Sequence, residues 1–214
     1  MNLQQTRPYT FILVIFFLLN VMTTATAQTQ PESAPQQIIE NASIKIKTRL
    51  ADPVFSKDFD RVVDFVESVI DPHIDFNLVS TLVLGKFWKT ATPSQRERFK
   101  KEFKTLLLRT YSRVFVELDD WTIEFLPGIQ RSDERKVLIK TRVKPSGLQP
   151  VNVDYRMFDM NGDWKVYDIS IDGVSLVNTY RSTFKNDIDE GGSIAPLIKK
   201  IAEKNAEKST NPKD

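Results

Sequence analysis

The apolar residues of this chain repeat with one period in its first half and another in its second. From Ile38 to Leu118 they recur every three or four residues, the spacing of one face of a helix. From Trp121 to Ile171 they alternate with polar residues, the spacing of a strand with one wet face. Helical periodicity returns after Gly173. Helices, then a meander, then helices predict an α+β fold with helices packed on one face of an antiparallel four-stranded sheet.

In the helical half, Ile38, Ala42, Ile46 and Leu50 stand four apart, and Asp52-Pro53 breaks the run. Ser56 is a candidate cap for the next helix, whose stripe is Phe59, Val62, Val63, Val66, Val69 and Ile70, ended by Asp71-Pro72. Phe76 to Trp88 is helical with an interruption at Gly85. Thr92-Pro93-Ser94-Gln95 is a strong start signal: a capping hydroxyl, a proline at the first helical position and a glutamine to complete the capping box. That helix extends to about Leu118 along Phe99, Phe103, Leu106, Leu107, Thr110, Tyr111, Val114 and Leu118.

Four strands are expected: Trp121–Phe125, Val137–Val143, Val151–Met157 and Trp164–Ile171. Asn161-Gly162 is a hairpin turn. The last strand is irregular, because Val166 shares a face with Asp168 while Tyr167, Ile169 and Ile171 lie opposite. Helices are expected from about Gly173 to Ile188 and from Ile194 to Lys208.

The first residues read as a targeting segment. Arg7 precedes an apolar stretch, Phe11 to Met22, which is followed by Ala25-Thr26-Ala27, a small-x-small cleavage pattern. A membrane span needs about 20 apolar residues, so residues 1–27 are expected to be a cleaved signal peptide. Residues 28–37 (QTQPESAPQQ) read as a flexible leader, 38–208 as a single domain and 209–214 as a disordered tail. An exported chain with no Cys points to a bacterial periplasm, since small extracellular domains elsewhere rely on disulfides.

Composition excludes much chemistry. The chain has no Cys and one His, so thiolate sites and multi-histidine metal sites are absent. A net charge of +2 gives no field for nucleic acid. His73 reads as a solvated loop residue, and Ser175 lacks the second glycine of a nucleophile elbow. Asp168 and Asp172 could form an acid/base pair but suit a cap for the following helix. Residues 96–113 carry seven Lys and Arg against Glu97 and Glu102, which is a solvated face or a surface for anionic lipid heads or an acidic partner. The aromatic stripe is either core or the wall of a cavity for a hydrophobic ligand.

Residues 162–181 (GDWKVYDISIDGVSLVNTYR) resemble the signature of the MlaC family of periplasmic phospholipid-binding proteins, the toluene-tolerance auxiliary family. Residues 87–95 (FWKTATPSQ) with Phe99, Phe103, Thr110 and Tyr111 resemble its central helix, and residues 151–156 (VNVDYR) its third strand. The likeness runs from about Gln36 to Ile201. Ser182-Thr183 and the segment from Gly191 to Pro196 depart from the family pattern.

The resemblance implies a nuclear-transport-factor-like fold, a curved sheet cupped by helices around an internal lipid cavity. It implies phospholipid as cargo, no cofactor and no catalytic residue. It implies a shuttle between an outer-membrane lipoprotein–porin complex and an inner-membrane ABC transporter with a lipid-binding domain, maintaining outer-membrane lipid asymmetry. The carrier is expected to be monomeric. Candidate cavity-lining residues are Leu84, Trp88, Phe99, Phe103, Leu107, Tyr111, Ile139, Val151, Val153, Tyr155, Val166, Ile169 and Val177. Candidate partner or head-group contacts are Lys100, Lys101 and Lys104. Two rival readings are an enzyme on the same fold, using Tyr155 or Asp168, and a ligand-free adaptor.

Overall fold

The computed structural model describes residues 33–118, 120–127, 130–133 and 135–207. The expected signal peptide, residues 28–32 of the leader and the tail 209–214 lie outside the described residues.

Eight helices and six strands are described: α1 (Ala34–Leu50), α2 (Pro53–Ser56), α3 (Phe59–Ile70), α4 (Phe76–Leu84), α5 (Lys86–Thr90), α6 (Pro93–Glu117), β1 (Trp121–Phe125), β2 (Gln130–Asp133), β3 (Lys136–Pro145), β4 (Val151–Met160), β5 (Asp163–Ile171), β6 (Val174–Ser175), α7 (Leu176–Gly191) and α8 (Ile194–Ala206). The leader was expected to reach Gln37. The helix instead starts at Ala34, because Gln36 Oε1 accepts the Ser33 N–H at 3.0 Å and Pro35 suits the first turn. The cap of α3 is Asp58, whose carboxylate accepts the Arg61 N–H at 3.1 Å. Ser56 ends the short α2 instead. The capping box of α6 forms as expected, with Thr92 N–H to Gln95 Oε1 at 2.9 Å and Gln95 N–H to Thr92 Oγ1 at 3.2 Å. Gly85 separates α4 from α5 at φ +53°, ψ −119°, a conformation that side chains with a Cβ avoid.

The sheet is antiparallel, in the order β1-β3-β4-β5-β6, with β2 also pairing with β3. It has five strands of four residues or more plus the two-residue β6, where four strands were expected. β2 (QRSD) has no alternation, and β6 is too short to show any. β6 also displaces the expected start of α7 from Gly173 to Leu176.

Cross-strand partners share a face, so the register assigns the two sides of the sheet. Val137, Ile139, Thr141 and Val143 pair with Met157, Tyr155, Val153 and Val151. Val137, Ile139 and Met157 are buried, so this side faces the helices. The irregular last strand has a physical cause. Arg156 pairs with Asp168 but Met157 pairs with Val166, so Tyr167 is an extra residue in a β-bulge. The bulge turns Val166 and Ile169 to the same inner side, opposite Asp168.

The core forms three clusters. One lies among α4, α6, α7 and α8, and includes Leu84, Phe99, Phe103 and Val177. A second joins α1, α2 and α3 to the C-terminal half of α6 and Trp121. The third lines the sheet, with Ile39, Val137, Ile139, Met157 and Val166. α6 therefore changes neighbours along its length. Its buried residues after Leu106 are Leu108, Ser112 and Val116, and the expected Val114 is exposed.

Candidate functional site

The inner side of the sheet is a set of cross-strand rows. Val137, Met157 and Val166 form one row, and all three are buried. Ile139, Tyr155 and Ile169 form the next, in which only Ile139 is buried. Thr141, Val153, Ile171 and Val174 follow, with Thr141 buried, Val153 and Ile171 partly accessible and Val174 exposed. Val143 and Val151, at the end, are also partly accessible. The helix-facing side is thus sealed at the row of Val137, Met157 and Val166 and accessible from there toward Val151, while Asp159 and Trp164, on the other flank of that row, are partly accessible.

Tyr155 sits in the middle row. Desolvation by the surrounding protein raises its phenol to about 12, against a smaller opposing effect of its hydrogen bond with Thr141. Yet its side chain is only partly buried. Thr141 Oγ1 in turn donates to the Val153 carbonyl at 2.8 Å. On α6 and α7, Tyr111 and Tyr180 pair their hydroxyls, and desolvation raises both phenols.

The structure divides the candidate lining residues. Ile139, Val151, Val153, Tyr155, Val166 and Ile169 share the inner side of the sheet. Leu84, Phe99, Phe103 and Val177 lie in the helical cluster, and Trp88 and Leu107 pack against it. Phe99 and Phe103 stack at 5.4 Å, and Phe184 meets both edge-on at 5.8 and 5.4 Å. Phe99 has no accessible surface, so its place is helix–helix packing rather than the wall of an open space. Tyr111 is partly buried beside Tyr180. Ile171 and Val174 share the inner side of the sheet too: Ile171 lies on the face of Ile169 in the sequence alternation, whereas the two-residue β6 is too short for alternation to place Val174.

The three lysines also separate. Lys104 bonds Glu67 at 2.7 Å and also Asp71, and lies 5.3 Å from the Phe76 ring. Desolvation opposes its charge, but the hydrogen bonds to Asp71 and Glu67 prevail and raise its pKa. It is a tie between α6 and α3. Lys100 pairs with Glu97 on its own helix at 2.7 Å. Lys101 is exposed.

The remaining polar candidates have structural roles. The N-cap of α7 is Ser175, whose Oγ accepts the Asn178 N–H at 3.1 Å, while Asp168 supports it: Oδ1 accepts the Val177 N–H at 3.1 Å and Oδ2 accepts from Ser175 Oγ at 2.8 Å. Asp172 holds β4 instead, accepting the Asn152 N–H at 3.0 Å. Asp168 lies on the opposite side of the sheet from Tyr155, so the two cannot share a site. His73 is not a solvated loop residue. It sits half-buried in a 3₁₀ turn, where burial, and then the nearby Lys165 charge, lower its pKa. Two arginines pin helix ends: Arg181 Nε donates to Leu82 O at 2.6 Å, and Arg96 Nε to Trp88 O at 2.8 Å. A separate open cleft of about 610 Å³ lies between α5 and the α7–α8 junction, floored by Phe87, Ala91, Ile188 and Ile194. Among the described residues no helix is long and apolar enough to cross a membrane.

Residues 40–203 match the family model described as MlaC protein. The chain belongs to the MlaC family. Its relatives include the intermembrane phospholipid transport system binding protein MlaC of Haemophilus influenzae, 26% identical and covering 87% of this chain and 86% of that one. The toluene tolerance protein ttg2D of Pseudomonas putida is 23% identical over 61% of this chain and 60% of its own length. Among solved structures, a phospholipid-binding protein from Ralstonia solanacearum, in complex with a phospholipid, superposes with a TM-score of 0.74. It is 31% identical, and the match covers 80% of this MlaC chain and 96% of the other. The mixed fold of helices on an antiparallel sheet matches that of the Ralstonia phospholipid-binding protein.

Proposed function

We propose that this MlaC chain is a periplasmic phospholipid carrier, with the acyl chains held between the inner side of the sheet and the helices and the head group outside. The observation that supports this best is the accessible surface on Val151, Val153, Tyr155, Ile169 and Ile171, residues whose register points them at the helices. In a filled core those positions would be sealed, as Val137, Met157 and Val166 are. Tyr155 is surrounded deeply enough to raise its phenol and still keeps accessible surface, which suits the wall of a hollow. The phospholipid bound to the Ralstonia protein supports phospholipid as the cargo class.

Each acyl CH₂ exposed to water costs about 0.8 kcal/mol, so two chains of about 14 methylenes cost roughly 22 kcal/mol. Unassisted passage through water is therefore negligibly slow. A dry hollow removes most of that cost. Transfer from one apolar environment to another is then close to neutral and reversible, and direction comes from the partners. In this reading the partners are an outer-membrane lipoprotein–porin complex and an inner-membrane ABC transporter, and residues 1–27 direct export and are then removed.

Mass spectrometry of an organic extract of protein purified without detergent tests the reading. Diacyl phospholipid at near-unit stoichiometry is expected. Lipid-free protein that takes up nothing from vesicles would overturn it in favour of an adaptor.

A further inference from the structure

Accessibility on the inner side of the sheet is graded in two directions. Along the strands it rises from the sealed row of Met157 to Val153 and Val151. Across the sheet it rises from Thr141, which has no accessible surface, through Val153 and Ile171 to Val174, which is 60% exposed. The two gradients meet at one corner, where β5 turns into β6 and α7 begins. Val174 pairs with Ile171, so its side chain continues the inner apolar row past the edge of the sheet. The β3–β4 loop, with Leu148 64% exposed at its tip, ends at the same end of the sheet. The corner is held in shape: Asp172 N–H donates to Asn152 O at 2.9 Å, and Gly173 takes φ +82°.

We propose that this corner is the portal through which acyl chains enter and leave, with Val174 and Leu148 as its lips. The proposal rests on the carrier reading above. A chain sliding out of the hollow along Tyr155, Val153 and Ile171 stays on apolar surface until it passes Val174, so the exposed valine shortens the wet part of the path. In the other direction the sealed row of Met157 and Val166 interrupts any such path.

The absence of Cys makes single-site labelling clean. Val174→Cys and Met160→Cys, the latter on the hairpin beyond the sealed row, would each carry an environment-sensitive fluorophore. Each is mixed with phosphatidylglycerol vesicles containing nitroxide-labelled acyl chains, and lipid loading is counted separately by mass spectrometry. Quenching at position 174 at least fivefold greater than at 160 is expected. In unlabelled protein, Val174→Asp should slow vesicle-to-vesicle transfer tenfold or more at unchanged equilibrium loading, whereas Met160→Asp leaves the rate unchanged. Equal quenching at both positions, or an unaltered rate for Val174→Asp, with lipid loaded normally, would overturn the portal. Failure of every variant and of the parent to load lipid would instead overturn the carrier reading on which it rests.

Discussion

Arg156 Nη1 donates to Asp168 Oδ2 across 3.0 Å, joining β4 to β5 at the last regular pair before the bulge. The same carboxylate accepts the Val177 N–H in the first turn of α7 and receives the Ser175 hydroxyl. One side chain thus fixes the bulge, the edge strand and the following helix together.

Asp168→Ala should therefore destabilise the domain by about 2–3 kcal/mol, because it strands the Arg156, Ser175 and Val177 donors. For a domain of this size that lowers the thermal midpoint by roughly 5–10 °C. Asp168→Asn keeps an acceptor for one donor and should cost less. Circular dichroism melts of both variants check the order, and an unchanged midpoint for the alanine variant would remove Asp168 from this role.

The bulge also marks where sequence and structure part. Alternation in Val137–Val143 and Val151–Met157 assigned the correct faces, because each strand keeps period two. In β5 the extra residue Tyr167 shifts the count, so Val166 and Ile169 looked opposed and are not. The aromatic stripe of α6 was legible as buried, but periodicity does not name its neighbour. Phe99 and Phe103 pack on α7 and α8, and the stripe then rotates to Leu108, Ser112 and Val116 once α1 and α3 become the neighbours. Ser56 lost its capping role to Asp58 for a local reason, since a carboxylate two residues on reaches the N–H of Arg61. The 20-residue block from Gly162 to Arg181 identified the family because it encodes a turn, a bulged strand, a cap and the Arg181 pin in one run.

Lys101 and Lys104 were grouped by sequence, and the structure makes them opposite controls. Lys101→Glu, on an exposed position, should leave stability within about 0.5 kcal/mol and lipid content unchanged. It should slow transfer to anionic acceptor vesicles at low salt, where screening is weakest. Equal rates at low salt would return Lys101 to an ordinary solvated face.

Lys104→Ala should instead cost about 1 kcal/mol by releasing α6 from Glu67 and Asp71. Its pKa is raised in the fold, so this stabilisation is complete below the ordinary lysine value of 10.5 and is lost as pH climbs through the raised value. The difference in midpoint between parent and variant should accordingly be flat from neutral pH to about pH 10 and shrink above it. A gap that shrinks already near neutral pH would exclude the ion pairs as its source.

His73 should make the fold acid-sensitive. Burial, followed by the Lys165 charge, lowers its pKa below the ordinary 6.5, and its Nδ1 is buried with no hydrogen-bond partner among the described residues. The unfolded chain therefore binds a proton at a higher pH than the folded one. Stability is full above the unfolded pKa and falls as pH drops from there through the lowered folded value. His73→Gln removes this contribution, so its thermal midpoint should fall less than the parent's between about pH 7.5 and 5.5. Parallel slopes would assign the acid sensitivity to carboxylates instead.

Val153→Glu separates a hollow from a filled core. Val153 lies between Thr141 and Ile171 on the inner side of the sheet and keeps accessible surface. In the carrier reading a carboxylate there meets acyl tails when lipid is bound, and a buried unpaired charge costs several kcal/mol or takes up a proton. Without lipid, water reaching the position can solvate the glutamate. The variant should thus fold with the parent's circular dichroism and lose most of its co-purified phospholipid. Val153→Leu, which keeps the site apolar, should retain it. Were the space between sheet and helices solid, Val153→Glu would unfold the domain, because no water could reach the charge. A folded variant with its full complement of lipid would move the acyl chains away from Val153.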